Sequence, residues 1–267
     1  MYGHYFSRLL ALLLLLPAST VIAQNSDCDA KSQSHRVALL ELYTSEGCSS
    51  CPPADKWLSK LDAKGIDATK LVPLSLHVDY WNYIGWRDPY SSSQYTARQR
   101  KVAGHNRLRT IYTPQMVLDG RDYRSWRRQE ISNHLKRTNS KPAGADLNLE
   151  WSEQGSGENQ SVSIKLKASL NPPHAVSQPV VNLVIYENNL VSHVDAGEND
   201  GRSLKHDYVV RRLLKYPFNV GREHIERQVS IPLNKDWNKE QLGLALFVQD
   251  DQNGKVMQAM AHAIDCK

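Results

Sequence analysis

The chain has 267 residues, of which 40% are hydrophobic, and a formal net charge of +5. A chain of this length can bury one large core or two ordinary ones without help from a metal, which excludes a small metal-stapled fold. The basic residues occur in short runs that are typical of solvated helix faces, so we expect no nucleic-acid partner.

The first residues have the pattern of a secretory signal peptide. Arg8 precedes an apolar run over 9–16, and short apolar and small residues end at Ala23, where we predict cleavage. The apolar run is much shorter than the roughly 20 residues that a membrane-spanning helix needs. We therefore predict a signal peptide over 1–23, no integral membrane segment after cleavage, and a periplasmic or secreted mature protein.

The segment after the signal peptide alternates between strand and helix patterns. A mostly continuous apolar run over 37–43 predicts a strand that is buried on both faces. Apolar residues at helical spacing over 55–61 follow it. A second apolar strand is predicted over 71–78, and helix formers over 92–108 predict a second helix. The order so far is β-α-β-α.

A hairpin and a further helix pattern complete this unit. Residues 114–118 predict a third strand, and the pair Asp119-Gly120 turns it into a brief return strand. The polar segment 139–145, which contains Pro and Gly, is typical of a linker. We therefore predict one domain over 24–138 and a second over 146–267.

The second domain has the pattern of an antiparallel β domain. Short alternating segments that are separated by turn residues are typical of a sandwich. We therefore predict an all-β sandwich-like domain. Its strands are predicted at 145–151, 161–170, 180–186, 190–195, 208–214, 229–233, 242–248 and 256–264.

Cys48 and Cys51 form a C-x-x-C pair between the first predicted strand and the first predicted helix. Thiol–disulfide exchange needs one reactive thiolate and a second thiol close enough to release the mixed disulfide, and this spacing supplies both. A helix start can lower a cysteine pKa to about 3.5–7.5, so we expect Cys48, as the more exposed residue, to attack and Cys51 to resolve. Pro52 and Pro53 move the predicted helix start toward Pro53, which weakens the effect of the helix dipole on Cys48.

Thr113 and Pro114 open the third predicted strand. In this strand order they lie opposite the cysteine turn. We therefore predict a cis Thr113–Pro114 bond and expect the backbone of Thr113 to contact a substrate strand.

The chain resembles a known family in four segments: Thr44–Asp55 (TSEGCSSCPPAD), His77–Ser92 (HVDYWNYIGWRDPYSS), Tyr112–Gly120 (YTPQMVLDG) and Ala196–Arg211 (AGENDGRSLKHDYVVR). It is an exported thioredoxin-like family of bacteria and plants that is catalogued as a domain of unknown function. The resemblance implies an α/β thioredoxin-like domain followed by the all-β sandwich-like domain. It also implies redox-site positions at Cys48, Cys51 and Pro114. Ser49-Ser50 stand where thioredoxins have Gly-Pro between the cysteines.

An aromatic loop follows the second predicted strand, and His77, Asp79, Tyr80 and Trp81 stand at its start. As a groove wall, these residues would grip a peptide substrate, with Asp79 orienting His77 as a proton partner of Cys48. As structural residues, they would cover the sheet edge or a domain junction. Both interpretations stay open.

A second loop over 196–202 is rich in Gly, Asn and Asp and leads to His206 and Asp207. The loop has either a functional role or a structural one, because these residue types also form turns for structural reasons alone, and we favour the structural interpretation.

Three functional hypotheses follow. The leading one is an exported thiol–disulfide oxidoreductase that acts on a protein or small-molecule thiol or disulfide, needs no cofactor, and exchanges electrons with a further redox partner. The second is a Cu(I)-binding protein with Cys48, Cys51 and His77 as ligands, because soft thiolates select that ion. The third is a non-catalytic binding module whose cysteines form a stable bridge. A structural zinc site needs four ligands, and no second C-x-x-C completes one.

Cys28 and Cys266 lie near opposite ends of the mature chain, outside the C-x-x-C turn. Because thiols in an oxidising compartment are normally oxidised, we predict a structural disulfide between them. The chain-entropy model gives such a long loop roughly 5 kcal/mol of stabilisation.

Overall fold

The computed structural model describes residues 1–3, 28–128, 130–172 and 176–266. Residues 4–23 of the predicted signal peptide, 1–23, lie outside the described residues. Among the helices of the described part, none is both long enough and apolar enough to cross a membrane.

The described residues form fourteen strands and three α-helices. The strands are β1 (Cys28–Lys31), β2 (Ala38–Thr44), β3 (Leu71–His77), β4 (Gln115–Leu118), β5 (Arg121–Asp122), β6 (Ala145–Gln154), β7 (Ser161–Leu170), β8 (Pro179–Glu187), β9 (Leu190–His193), β10 (Ser203–His206), β11 (Val209–Pro217), β12 (His224–Pro232), β13 (Leu242–Asp250) and β14 (Val256–Ala263). The α-helices are α1 (Pro52–Leu58), α2 (Ser93–His105) and α3 (Ile131–Asn139).

The largest sheet has eight strands in the order β14-β13-β8-β11-β3-β2-β4-β5. β2 runs parallel to β3, and β11 joins β3 in parallel at Val209 and Ser75. The other neighbours in this sheet are antiparallel. β2 and β3 are buried along their whole length, as the continuous apolar pattern predicts for strands that are covered on both faces.

The α-helices cover β2 on both faces. Leu40 of β2 shares one core with Leu58 of α1 and Leu135 of α3, whereas the adjacent Leu39 shares another with Tyr95 of α2. Successive strand residues point to opposite faces, so α1 and α3 lie on one side of the sheet and α2 lies on the other. The turn that leaves β2 for α1 is thereby held between packed elements.

A second, four-stranded antiparallel sheet has the order β1-β6-β7-β12. Leu149 of β6 and Ile164 of β7 form one core with Leu183 of β8 and Leu246 of β13, so this small sheet packs on the far half of the large one. β9 and β10 form a separate two-stranded sheet, which lies against α1.

The predicted fold class, an α/β thioredoxin-like domain followed by an all-β sandwich-like domain, is wrong. Strand predominates over helix in the described residues, and strands on both sides of segment 139–145 share one eight-stranded sheet. The Ser75 N–H donates to the Tyr208 carbonyl at 2.8 Å, which attaches β11 from the second half to β3 from the first. Alternation identifies the strands of the second half, but their pairing partners are set by long-range register, which a local pattern does not encode.

A disulfide joins Cys28 to Cys266, the pairing that the sequence predicts. Cys28 begins β1 and faces Trp151 across the edge of the small sheet, while Cys266 follows β14 of the large sheet. The Trp151 Nε1–H donates to the Ile264 carbonyl at 2.8 Å beside this bridge. The two packed sheets are therefore tied together at one edge.

Candidate functional site

A disulfide joins Cys48 and Cys51 in the turn between β2 and α1. The Cys48 N–H donates to the Ser45 carbonyl and the Cys51 N–H donates to the Cys48 carbonyl, both at 3.1 Å. The cysteines are buried, with exposed fractions of 1% and 0%, whereas Ser49 and Ser50 between them are exposed. The expectation of an exposed Cys48 is therefore wrong, because the serines occupy the solvent-facing positions of the turn.

The start of α1 offers few hydrogen-bond donors. Cys51 is its N-cap residue, and Pro52 and Pro53, which have no N–H group, occupy the first helical positions. The helix therefore supplies little of the dipole stabilisation that a helix start usually gives a thiolate. Ser50 supplies a polar contact instead, because its Oγ lies 3.3 Å from Cys48 Sγ.

Residues 196–202, which we name the capping loop, lie over the cysteine turn. The buried Asn199 donates from Nδ2 to the carbonyl oxygens of Glu46 at 2.7 Å and of Cys48 at 3.1 Å. Glu198 Oε2 accepts a hydrogen bond from the Ser49 N–H at 2.9 Å. Hydrogen bonding by the Ser49 side chain, and next by its backbone N–H, lowers the pKa of Glu198 from its ordinary value. The interpretation of this loop as turns alone is incomplete, since its side chains hold the cysteine turn.

Trp81 connects the cysteine turn to the predicted Thr113–Pro114 position. Its Nε1–H donates to Thr113 Oγ1 at 2.8 Å, and its Cβ lies 3.1 Å from the place that a Cβ on Gly47 would take. The Thr113–Pro114 bond is cis, as predicted, and precedes β4, the neighbour of β2. Tyr80 and Trp81 are half-buried and pack against the core shared with α2. Trp81 therefore has a structural contact and also borders the cysteine turn.

His77 is fully buried at the end of β3, and its Nδ1 lies 2.7 Å from Asp88 Oδ2. The prediction that Asp79 orients His77 is wrong, because Asp79 Oδ1 accepts a hydrogen bond from Thr96 Oγ1 of α2 at 2.5 Å. Burial raises the pKa of Asp88, but His77 and neighbouring backbone N–H groups outweigh this effect and lower the pKa from its ordinary value.

Glu46, Asp55 and His206 form a buried cluster beneath the cysteine turn. They come from the residues before the turn, from α1 and from β10, and each is at most 5% exposed. His206 Nε2 lies 3.2 Å from Glu46 Oε1, and His206 Nδ1 lies 3.7 Å from Asp55 Oδ1. Burial lowers the pKa of His206, but the two carboxylates outweigh this effect and raise the pKa to about 10.

The cluster adjoins His77. The ring centroids of His77 and His206 are 4.9 Å apart in a T-shaped contact. Among the described residues, the group of side chains that could hold a metal ion is Asp55, His77 and His206, whose ligand atoms lie within 4.8 Å of one another. His77 therefore belongs to a group of potential ligands that does not include the sulfur atoms of Cys48 and Cys51.

A groove of about 480 Å³ runs between α1 and β10 and reaches this cluster. Asp55 and His206 lie in its wall, and Pro52 lines it next to the cysteine turn. Lys56 and Lys205 also line it and are exposed. Two members of the buried cluster therefore border a surface groove.

Sequence reasoning missed the roles of Asp55, Asp88, Asn199 and His206. The sequence does indicate that Asp55 lies near Cys51, because it stands four residues after Cys51 and so lies on the same face of the helix. The others come from loops or from a short strand far along the chain, and only the folded topology brings them to the turn.

No curated protein matches the chain. A crystal structure of a protein from Agrobacterium tumefaciens is 24% identical, with a TM-score of 0.58, over 88% of this chain and 98% of that one. HBP35 of Porphyromonas gingivalis is 13% identical, with a TM-score of 0.65, over 88% of this chain and 77% of that one. These similarities concern the fold alone. The model of the family described as "Protein of unknown function (DUF1223)" matches residues 39–249, and the chain therefore belongs to this family.

Proposed function

We propose that this chain carries out thiol–disulfide exchange through Cys48 and Cys51 on protein or small-molecule thiols. The observation that carries the proposal is the Cys48–Cys51 disulfide in a turn whose middle residues, Ser49 and Ser50, face solvent. A pair with this spacing can form, break and exchange its bond without unfolding the rest of the chain.

The two disulfides of the chain differ in what they can contribute to stability. Closing the four-residue loop of Cys48–Cys51 is worth only about 2 kcal/mol in the chain-entropy model, against roughly 5 kcal/mol for Cys28–Cys266. The long bridge therefore accounts for structural stabilisation, and the short one is better suited to exchange. The signal-peptide pattern supports an exported location, where both bonds can persist.

The proposed exchange has two steps. The Cys48 thiolate of the reduced protein attacks a substrate disulfide, so that a Cys48–substrate bond forms, the substrate bond breaks, and one substrate sulfur leaves as a thiolate. The Cys51 thiol then loses its proton and attacks Cys48 Sγ, which forms Cys48–Cys51 and releases the second substrate sulfur. The substrate gains two electrons and the protein loses two. The reverse sequence oxidises a substrate dithiol.

The surroundings of the two sulfurs favour these roles. The Ser50 hydroxyl, 3.3 Å from Cys48 Sγ, can donate a hydrogen bond to a thiolate on Cys48. Cys51 is the N-cap residue of α1, followed by Pro52 and Pro53, and both cysteines are buried, so the assignment rests on the hydroxyl beside Cys48 and not on exposure. Cys48 is therefore the proposed attacking residue and Cys51 the resolving one.

A redox titration tests the proposal. The protein is equilibrated with glutathione buffers, alkylated and analysed by peptide mass, with Cys28–Cys266 as the internal reference. We expect Cys48–Cys51 to have a reduction potential above about −300 mV and Cys28–Cys266 to stay oxidised throughout. A Cys48–Cys51 potential below that value, together with no turnover of a disulfide substrate, would instead indicate the stable bridge of the third hypothesis.

A further inference from the structure

We propose that Asp55, His77 and His206 bind one divalent transition-metal ion of the zinc class. The site is separate from the cysteine sulfurs, so the proposal goes beyond disulfide exchange and does not depend on it.

Each of the three residues has a buried ligand atom that makes no well-aligned hydrogen bond among the described residues: Asp55 Oδ1, His77 Nε2 and His206 Nδ1, which lies 3.7 Å from Asp55 Oδ1. Leaving one buried polar atom unpaired costs about 1–3 kcal/mol. Asp55, His77 and His206 each bring one ligand atom within 4.8 Å of the other two. A shared cation would satisfy all three side chains.

The second ring nitrogens of His77 and His206 have the kind of hydrogen-bond partner that metal-bound histidines usually have. His77 Nδ1 lies 2.7 Å from Asp88, which leaves Nε2 directed away from that carboxylate. On His206, Nε2 lies 3.2 Å from Glu46, which leaves Nδ1 on the side of Asp55. Metal-bound histidines usually have a carboxylate or carbonyl on the second ring nitrogen, because this partner fixes the tautomer and the ring orientation.

Those hydrogen-bond partners are themselves held in place. Trp86 Nε1–H donates to Glu46 Oε2 at 2.8 Å, and the Glu46 N–H donates to Asp88 Oδ2 at 2.9 Å. Thr44 Oγ1–H donates to the second oxygen of Asp55, Oδ2, at 3.1 Å. Asp55 Oδ1 is thereby left for a ligand role. These surrounding hydrogen bonds therefore fix the orientation of the three proposed ligands.

The charge of the site also favours a cation. Glu46, Asp55 and Asp88 place three carboxylates in a region where each is at most 5% exposed. Burying carboxylates without compensating positive charge is costly. A divalent ion would supply that charge at the centre of the group. The competing arrangement is an ion pair alone, in which a protonated His206 lies between Glu46 and Asp55.

Two imidazole nitrogens and one carboxylate oxygen are a ligand set typical of Zn²⁺, with a fourth position left for water or another small ligand. A tetrahedral ion holds its ligand atoms about 3.3 Å apart, so side-chain shifts of about 1 Å would close the group around it. An ion would enter from the groove between α1 and β10, which Asp55 and His206 border. Binding would link α1, β3 and β10 next to Cys51.

The test uses the mature protein with both disulfides formed, so that no thiolate can bind the metal. The protein is stripped with a chelator and titrated with Zn²⁺ by calorimetry, and Co²⁺ absorption reports the ligand type. We expect one Zn²⁺ per chain and a Co²⁺ spectrum without sulfur charge-transfer bands. His77→Gln and His206→Gln should each weaken Zn²⁺ binding at least tenfold, and Asp88→Asn should weaken it about ten- to a hundredfold.

His224→Gln is the matched control, because His224 is an exposed histidine on β12, and its binding of Zn²⁺ should equal that of the unchanged protein. Circular dichroism without metal verifies that each variant is folded. Thermal unfolding gives a second measurement, since Zn²⁺ should raise the Tm of the unchanged protein but not that of His206→Gln. Failure of the unchanged protein to bind Zn²⁺ would indicate the ion pair alone. Undiminished binding by folded His77→Gln and His206→Gln would equally overturn the proposal.

Discussion

Asn199 of the capping loop donates a hydrogen bond to the carbonyl oxygen of Cys48 at 3.1 Å, across a sequence separation of 151 residues. Arg202 Nη1 donates to Asn199 Oδ1 at 2.7 Å, which fixes the amide so that its Nδ2 faces the cysteine turn. A segment of the second half of the chain therefore holds the cysteine turn. Under the proposed function, we expect these contacts to loosen when a substrate reaches Cys48.

We predict that Asn199→Ala speeds reduction of the Cys48–Cys51 disulfide by a small thiol about thirtyfold. The change removes two hydrogen bonds to the turn, each worth about 1 kcal/mol, and so favours the open form. The rate is measured by reducing the protein for set times and stopping each reaction with an alkylating reagent. Asn234→Ala, in an exposed turn away from the site, is the control and should leave the rate unchanged. Equal rates for both variants would show that the capping loop does not limit access.

Glu198 should make access to Cys48 dependent on pH. Its pKa is lowered by the hydrogen bond from Ser49, so this contact is fully stabilising above the ordinary glutamate pKa of about 4.3 and is lost as the pH falls through the lowered value. Reduction by a phosphine, compared between the unchanged protein and Glu198→Gln, should be faster in the variant at about pH 7, and the difference should shrink as the pH falls through the lowered pKa. Glu240→Gln, another exposed glutamate, should match the unchanged protein at each pH.

Gly47 and Gly104 should respond in opposite ways to substitution by alanine. A Cβ on Gly47 would lie 3.1 Å from Trp81 Cβ and 3.3 Å from Ile84 Cδ1, whereas a Cβ on Gly104 in α2 meets no atom within 4 Å. We expect Gly47→Ala to lower the free energy of unfolding by about 1–3 kcal/mol through overpacking. Gly104→Ala should raise it by about 0.5–1 kcal/mol, because alanine favours the helix. Denaturant unfolding of the oxidised protein measures both, and a Gly47→Ala variant as stable as the unchanged protein would contradict the packing at Gly47.

The Cys28–Cys266 bridge should contribute more to stability than Cys48–Cys51. We expect the double variant Cys28→Ser, Cys266→Ser to lose about 2–5 kcal/mol of unfolding free energy, since it frees a long loop and unties the two sheets. Cys48→Ser, Cys51→Ser is the matched control and should lose about 2 kcal/mol or less. An equal or larger loss of unfolding free energy in Cys48→Ser, Cys51→Ser would show that the structural role does not belong to Cys28–Cys266.

Local patterns in the sequence predict most of the individual elements. The apolar run over 37–43 became β2, and Ser92 caps α2 within the predicted segment 92–108. The alternating segments of the second half became strands at nearly the predicted positions. These patterns work because burial of one face or of both faces is a local property of a strand or helix.

The arrangement of those elements could not be predicted in the same way. β11 pairs with β3 although the two lie far apart in the sequence, and this pairing joins strands from both halves of the chain in one large sheet. The site shows the same limit, because His206 reaches Glu46 and Asp55 only through that topology. Cys48 and Cys51 were recognisable because their chemistry depends on a spacing of three residues.

Trapping of mixed disulfides shows whether Cys48 and Cys51 carry out thiol–disulfide exchange. Reduced Cys51→Ala and Cys48→Ala variants are each mixed with a small disulfide, and the adducts are located by peptide mass. We predict a rapid adduct on Cys48 in Cys51→Ala and at least a tenfold slower adduct on Cys51 in Cys48→Ala, with Cys28–Cys266 intact in both. The absence of an adduct in both folded variants would contradict thiol–disulfide exchange at this site, and a faster adduct on Cys51 would contradict the assigned roles.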